Sequence, residues 1–120
     1  MTTPSPAELD LECLAGSDFE LEFSMDDPDG QPISFAGCQA WLTVYDDQEK
    51  TVEVLKLSKD GGEIVFQDAD ISIVARYPAS LTAALPVDGH IYDLDVEFSN
   101  GVRWRVFTGR FEVQAGNYAS

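Results

Sequence analysis

Tyr92-Asp93-Leu94-Asp95-Val96-Glu97-Phe98-Ser99-Asn100-Gly101-Val102-Arg103-Trp104-Arg105-Val106 decides the fold. Large apolar residues alternate with charged ones on both sides of a turn signal, the pattern of two half-buried antiparallel strands. Asn100-Gly101 invites a two-residue turn. That register sets Phe98 opposite Arg103 and mixes core with solvent, because a one-residue slip turns every side chain over. A three-residue loop of Ser99, Asn100 and Gly101, with Gly101 left-handed, resolves the conflict. Phe98 then faces Val102, Val96 faces Trp104 and Leu94 faces Val106. On the outer face Glu97 meets Arg103 and Asp95 meets Arg105, opposite charges across the ladder.

Period-two alternation continues outward in both directions. Leu9, Leu11 and Cys13 alternate with acids, and Phe19, Leu21, Phe23 and Met25 alternate with Glu20, Glu22 and Ser24. Cys38, Ala40, Leu42 and Val44 form one face of a strand; Gln39, Trp41, Thr43 and Tyr45 form the other. With both faces partly covered, that strand is expected to be central. Val52 to Leu57 reads as a strand, as do segments around Ile64 and Ile73 joined by a turn from Gln67 to Asp70. Pro78 to Pro86 breaks the pattern: it is Ala-rich and bracketed by prolines. One helical turn near residues 80–85 is expected there, capped by Ser80, crossing between sheets. Val106 and Phe111 both belong inside yet have opposite parity, so a bulge or kink is expected at Gly109. Seven or eight short strands with regular turn signals predict an all-β, immunoglobulin-like, two-sheet antiparallel sandwich. The organisation expected is an extended arm over 1–8, the sandwich over 9–115 and a short tail over 116–120.

The chain has 120 residues, enough for one domain with its own core. Asp and Glu number 22 against 7 Lys and Arg, a formal net charge of −15. Nucleic acid and anionic membranes both need clustered cations, so neither is an expected partner. The acids alternate with core residues along strands, which fits solubility better than a DNA-mimicking array. The start, Met1-Thr2-Thr3-Pro4-Ser5-Pro6, lacks the basic and apolar regions of a signal peptide. Cys13 and Cys38 read as small buried hydrophobes, with a disulfide left open.

Catalytic patterns are sparse. His90 is the only histidine, beside Asp88 and Gly89, and reads as a solvated turn residue. Asp26-Asp27-Pro28-Asp29-Gly30 fails the EF-hand test, because the twelfth position of that loop is Ala36 where a bidentate Glu is needed. Trp41, Tyr45 and Tyr77 are the aromatics a sugar-binding face would use, although aromatics in a two-layer fold more often fill the core. No catalytic residue, cofactor or metal site is expected.

Ala15-Gly16-Ser17-Asp18-Phe19, the turn Asp27 to Gly37, Gly61-Gly62-Glu63-Ile64, Leu81-Thr82-Ala83-Ala84-Leu85-Pro86, Ile91-Tyr92-Asp93-Leu94 and Thr108-Gly109-Arg110-Phe111-Glu112-Val113 occur in that order. Over Leu9 to Val113 this resembles a β-sandwich domain of tailed-bacteriophage virion proteins, found in collar, fibre-attachment and baseplate-associated components. The resemblance implies an immunoglobulin-like sandwich without activity, assembled as a homo-oligomer, in a symmetric ring, with other virion proteins. Residence in the virion after assembly in the host cytoplasm follows from it. No fibre shaft or receptor-binding region follows the domain, so an adaptor, collar or decoration role is expected. The interface residues expected are Met1, Thr2, Thr3, Pro4, Ser5 and Pro6 of the arm, with Asp26, Asp27, Pro28, Asp29 and Gly30 of the turn. A carbohydrate- or host-surface-binding module and an acidic DNA-mimic inhibitor are the alternatives.

Overall fold

The structure, a computed structural model, describes residues 7–27, 29–46 and 49–115. Nine strands and one helical turn follow one another: β1 (Ala7–Glu8), β2 (Leu11–Leu14), β3 (Phe19–Ser24), β4 (Gln39–Tyr45), β5 (Glu53–Ser58), β6 (Ile64–Gln67), β7 (Ser72–Tyr77), α1 (Ala79–Thr82), β8 (Asp88–Glu97) and β9 (Arg103–Gln114). They form two sheets. The larger runs β1-β9-β8-β4-β5, with β2 also on β9; the smaller runs β3-β7-β6. With β3 to β9 taken in chain order as B, C, C′, D, E, F and G, the sheets are GFCC′ and BED, the strand order of the immunoglobulin sandwich. The all-β, two-sheet, immunoglobulin-like fold expected from the alternation is therefore the fold the chain adopts.

The inward stripes meet as one core. Phe19 and Phe23 of the smaller sheet pack on Phe111 and Phe107 of the larger, with ring centroids 5.4 and 4.9 Å apart. Leu42, Leu57, Tyr92, Leu94 and Val96 are wholly excluded from solvent. Burial of this apolar surface is the main favourable contribution to folding. β4 lies between β8 and β5 and buries Ala40, Leu42 and Val44, so the expectation of a central strand holds. Cys13 and Cys38 are buried and free, and burial pushes both thiols above their ordinary pKa.

The β8–β9 hairpin follows the expected register near its loop. The Phe98 N–H donates to Val102 O at 2.8 Å and Gly101 is left-handed at φ 86°. Val96 faces Trp104 and Asp95 faces Arg105. Beyond that point the ladder slips: Leu94 faces Phe107 rather than Val106. The parity switch thus occurs at Val106, three residues before the expected Gly109. Both Val106 and Phe107 turn toward the core, which a bulge permits and a regular strand does not.

Gly109 has a different reason to be glycine. A Cβ there would run into the carbonyl oxygen of Leu9 and lie 2.8 Å from its carbon. Between β1 and β2 the chain crosses directly over Gly109. The Leu9 N–H donates to Thr108 O at 2.9 Å, the Arg110 N–H to Asp10 Oδ1 at 3.0 Å, and the Tyr92 hydroxyl to Leu9 O at 2.5 Å. The group that approaches this backbone is the chain's own Leu9–Asp10 crossing between the first two strands.

The end holding α1 also departs from expectation. The helix begins at Ala79, and Ser80 does not cap it; the Ala79 N–H donates to Asp18 Oδ1 at 2.8 Å. Thr82, fully buried, donates to Ser17 O at 2.7 Å and accepts from the Gly16 N–H at 3.1 Å. The β2–β3 turn and α1 are therefore latched together. His90 is not a solvated turn residue. It lies in β8, 2% exposed, and its Nε2 is 3.0 Å from Pro86 O. A carbonyl only accepts, so Nε2 carries the proton. Nδ1 faces Asp46 Oδ1 at 3.5 Å. In immunoglobulin domains a tyrosine near the start of strand F bonds back to the upstream backbone at this corner; here a histidine does so.

Candidate contact face

Among the described residues, the outer face of the larger sheet carries the densest cluster of side-chain ion pairs. On β4 the outward residues are Trp41, Thr43 and Tyr45; across the ladder they meet Asp95, Asp93 and Ile91 of β8. Arg103 and Arg105 come from β9, Lys56 from β5, and Lys50 from the β4–β5 loop. Asp95 accepts from Arg105 at 3.1 Å and from Arg103 at 3.2 Å. Asp93, 1% exposed, has the Lys50 ammonium at 2.7 Å, Arg105 at 3.5 Å and the Thr108 hydroxyl at 2.9 Å. A buried carboxylate is tolerable only with such partners.

The layering of this cluster matters. Asp93 and Asp95 lie beneath, with side chains 1% and 15% exposed, whereas Arg103 and Arg105 lie above at 51% and 43%. The surface therefore presents guanidinium groups and covers the carboxylates. Burial alone disfavours the charge on Arg105; the hydrogen bond and charge of Asp95, with the charge of Asp93, outweigh it and raise its pKa. The Arg103 guanidinium stacks on the Trp41 ring, 4.4 Å from its centroid. Glu97 faces Arg103 in register, as expected, but the ion pair of Arg103 is with Asp95.

The aromatic trio does not assemble. Trp41 and Tyr45 share this outer face, and Arg103 covers the Trp41 ring. Tyr77 pairs with Phe19 on the smaller sheet and packs against the core. A sugar platform from these three has no geometric basis.

Of the expected interface residues, Met1, Thr2, Thr3, Pro4, Ser5, Pro6 and Pro28 lie outside the described residues. Asp26, Asp27, Asp29 and Gly30 form a closed turn. Asp27 Oδ1 accepts from the Asp29 and Gln31 N–H groups, both at 2.9 Å, and Asp26 bridges to Pro32. That carboxylate oxygen closes the loop, and among the described residues no cluster of acids, histidine or cysteine is arranged to hold a metal ion. Ala7 pairs with Phe107, whose ring packs on Phe23. The first described residues and this turn thus start from the same level of the sandwich.

A groove of about 660 Å³ runs along one side, between β2 and β3. Asp10, Glu12, Asp18 and Glu20 line it, with Arg110 the cation at its rim. Among the described residues no helix is long and apolar enough to cross a membrane.

Sequence reasoning located Arg103, Arg105 and Asp95 but passed over Asp93 and Lys50. An outward acid in a strand with neighbours on both sides is a usable signal, since such a position is covered. Lys50 carried none, because a loop lysine acquires its partner only when the sheet is built.

No family model matches the chain, and no curated protein matches it. Among solved structures it is similar to the extracellular domains of the voltage-gated sodium channel beta4 subunit, described as parallel homodimers with a role in cell–cell adhesion. The identity is 14% and the TM-score 0.43, covering 96% of this chain and 98% of that one. A likeness that distant carries no argument; the sandwich rests on the strand order given above.

Proposed function

We propose that this chain is a non-catalytic contact module, a structural adaptor of a bacteriophage particle at the tail, collar or fibre-attachment site. Its partners are other virion proteins and further copies of itself, and it resides in the virion after assembly in the host cytoplasm. One observation carries the contact role: an outer sheet face on which Trp41, Tyr45, Arg103 and Arg105 lie together. Tryptophan, tyrosine and arginine are the residues in which binding energy at protein interfaces concentrates. The resemblance over Leu9 to Val113 supplies the particle. The arm Met1–Pro6 and the turn Asp26–Gly30 are the further attachment elements of this reading.

The test is made in particles. The chain is tagged in its parent phage, virions are purified through a density gradient, and stoichiometric copies are sought by mass spectrometry and electron microscopy. Deletion of residues 1–8 lowers incorporation while the isolated domain still folds. Absence of the chain from purified virions sinks the particle role. Incorporation unchanged by the deletion removes the arm from the reading.

A further inference from the structure

One edge of the smaller sheet stands open along β3. In a constant-type immunoglobulin sandwich that sheet runs ABED, with the first strand seated beside B. Here β1 and β2 both pair with β9 of the larger sheet, and among the described strands β3 pairs with β7 alone. The backbone shows which groups this leaves facing outward. The Arg76 N–H donates to Glu63 O at 2.8 Å, on the β6 side of β7. Arg76 is also the ladder partner of Glu20. That pair is therefore of the non-hydrogen-bonded kind, and the Glu20 N–H and C=O point away from β7. By the two-residue period those of Glu22 and Ser24 do the same. The side chains agree. Phe19 and Phe23 point inward and are buried, whereas Leu21 between them is only half-buried. Leu21 lines the groove of about 660 Å³ between β3 and β2, in which Leu9 and Leu14 remain 41% and 44% exposed.

We infer that this edge takes up an extended segment of a partner protein, one in which basic and apolar residues alternate, added as a strand beside β3. Main-chain hydrogen bonds to Glu20, Glu22 and Ser24 hold such a strand, and its alternating side chains are selected by what they meet. The added strand follows the pleat of β3. Its residues opposite Glu20 and Glu22 point outward, where lysine or arginine meets a carboxylate across the ladder. Its residue opposite Leu21 points into the groove, where an apolar side chain covers exposed leucine. The groove's charged lining is Asp10, Glu12, Asp18, Glu20 and Glu112 against Arg110. Arg76 reaches Glu20 from β7 at 3.0 Å, an exposed pair that leaves the balance acidic. Two other occupants lack this match. The β3 edge of a second copy would bring Glu20 and Glu22 against their own kind, which is destabilising. The chain's own Met1 to Pro6 holds no lysine or arginine, and its prolines Pro4 and Pro6 have no N–H for a ladder. The carboxylates thus close the edge to most strands and leave it open to a basic one. This surface is separate from the Trp41–Arg103 face, so the inference goes beyond the contact-module reading and either can fail alone.

The test titrates the full chain into labelled peptides and reads fluorescence anisotropy. The probes are a short peptide alternating lysine with valine, its glutamate–valine counterpart, and a lysine–valine peptide of equal charge with proline at the ladder positions. The first binds at least about tenfold more tightly than either of the others, and salt weakens it. Hydrogen exchange shows the Glu20 and Glu22 amides gaining protection in the complex. Glu20→Lys with Glu22→Lys reverses the preference, so that the glutamate–valine peptide becomes the tighter ligand. Circular dichroism establishes that the variant is folded; if it is not, Glu22→Lys alone, at an exposed position, replaces it and narrows the preference. Equal binding of the proline peptide overturns strand addition in favour of charge alone. No binding of the lysine–valine peptide at about 1 mM overturns the site, as does a preference the charge swap leaves unchanged. Removal of residues 1–6 leaves the affinity as it was; tighter binding after their removal makes the chain's own arm the occupant and overturns the assignment to a partner. None of these outcomes removes the chain from virions, which the incorporation experiment decides separately.

Discussion

Replacing Gly109 with alanine tests how the first strands are held. The added Cβ would collide with the Leu9 carbonyl and lie 3.1 Å from Asp10 Oδ1. The colliding atoms are mainly backbone, so no rotamer change relieves the contact. Either β9 shifts or the Leu9–Asp10 crossing lifts away. Lifting loses the bonds from Leu9 N–H to Thr108 O, Arg110 N–H to Asp10 Oδ1 and Tyr92 hydroxyl to Leu9 O. At about 1 kcal/mol each they total about 3 kcal/mol, and stranding the buried Tyr92 hydroxyl adds about 1 kcal/mol. Alanine also lowers unfolded-state entropy, which offsets about 0.5–1 kcal/mol. The expected loss is therefore about 3–3.5 kcal/mol, measured by urea unfolding. Hydrogen exchange should show the Leu9 and Arg110 amides losing protection first. Gly101→Ala is the control: nothing lies within 4 Å of that Cβ, so only the left-handed backbone is strained, at about 1 kcal/mol. A Gly109→Ala chain as stable as the parent, with Leu9 still protected, would refute the account.

Tyr92 supplies a pH test. Burial, reinforced by Asp10 and Asp93, raises its pKa above the ordinary tyrosine value. The unfolded chain releases that proton near pH 10 while the native chain keeps it. The stabilisation is complete below about pH 10 and falls by about 1.4 kcal/mol per unit as pH rises toward the folded pKa. Urea midpoints of the parent should show this decline, and Tyr92→Phe should lack the part due to this phenol. Asp68, Ala69 and Asp70 are consecutively left-handed, at φ 56°, 59° and 66°. Ala69→Gly relieves a strain of about 1–2 kcal/mol against glycine's greater unfolded entropy, so thermal unfolding should show a net gain of about 0.5–1 kcal/mol. Cys13 and Cys38, buried with raised pKa, should react with a disulfide reagent only at the rate of opening or unfolding; rapid labelling of the native chain contradicts their placement.

The alternation of residues determined by itself that the chain is a two-sheet sandwich, that β4 is central and that a three-residue loop turns at Ser99–Gly101. Those features depend on neighbours along a strand or across one tight turn, where period two and loop length leave little freedom. Tertiary structure alone decided the rest. The parallel pairing of β1 and β2 with β9 joins Ala7 to Phe107 and Leu11 to Phe111, partners a hundred residues apart that no local period can signal. The same crossing explains Gly109, whose local sequence suggested a bulge that forms instead at Val106. His90 looked like a turn residue because its flanks are Asp88 and Gly89; it is buried because the E–F corner folds Pro86 back onto it. Asp93 acquired Lys50 and Arg105 only when loop, β8 and β9 converged. Side-chain direction is a local property of the strand, whereas the partner met in that direction belongs to the assembled sheets.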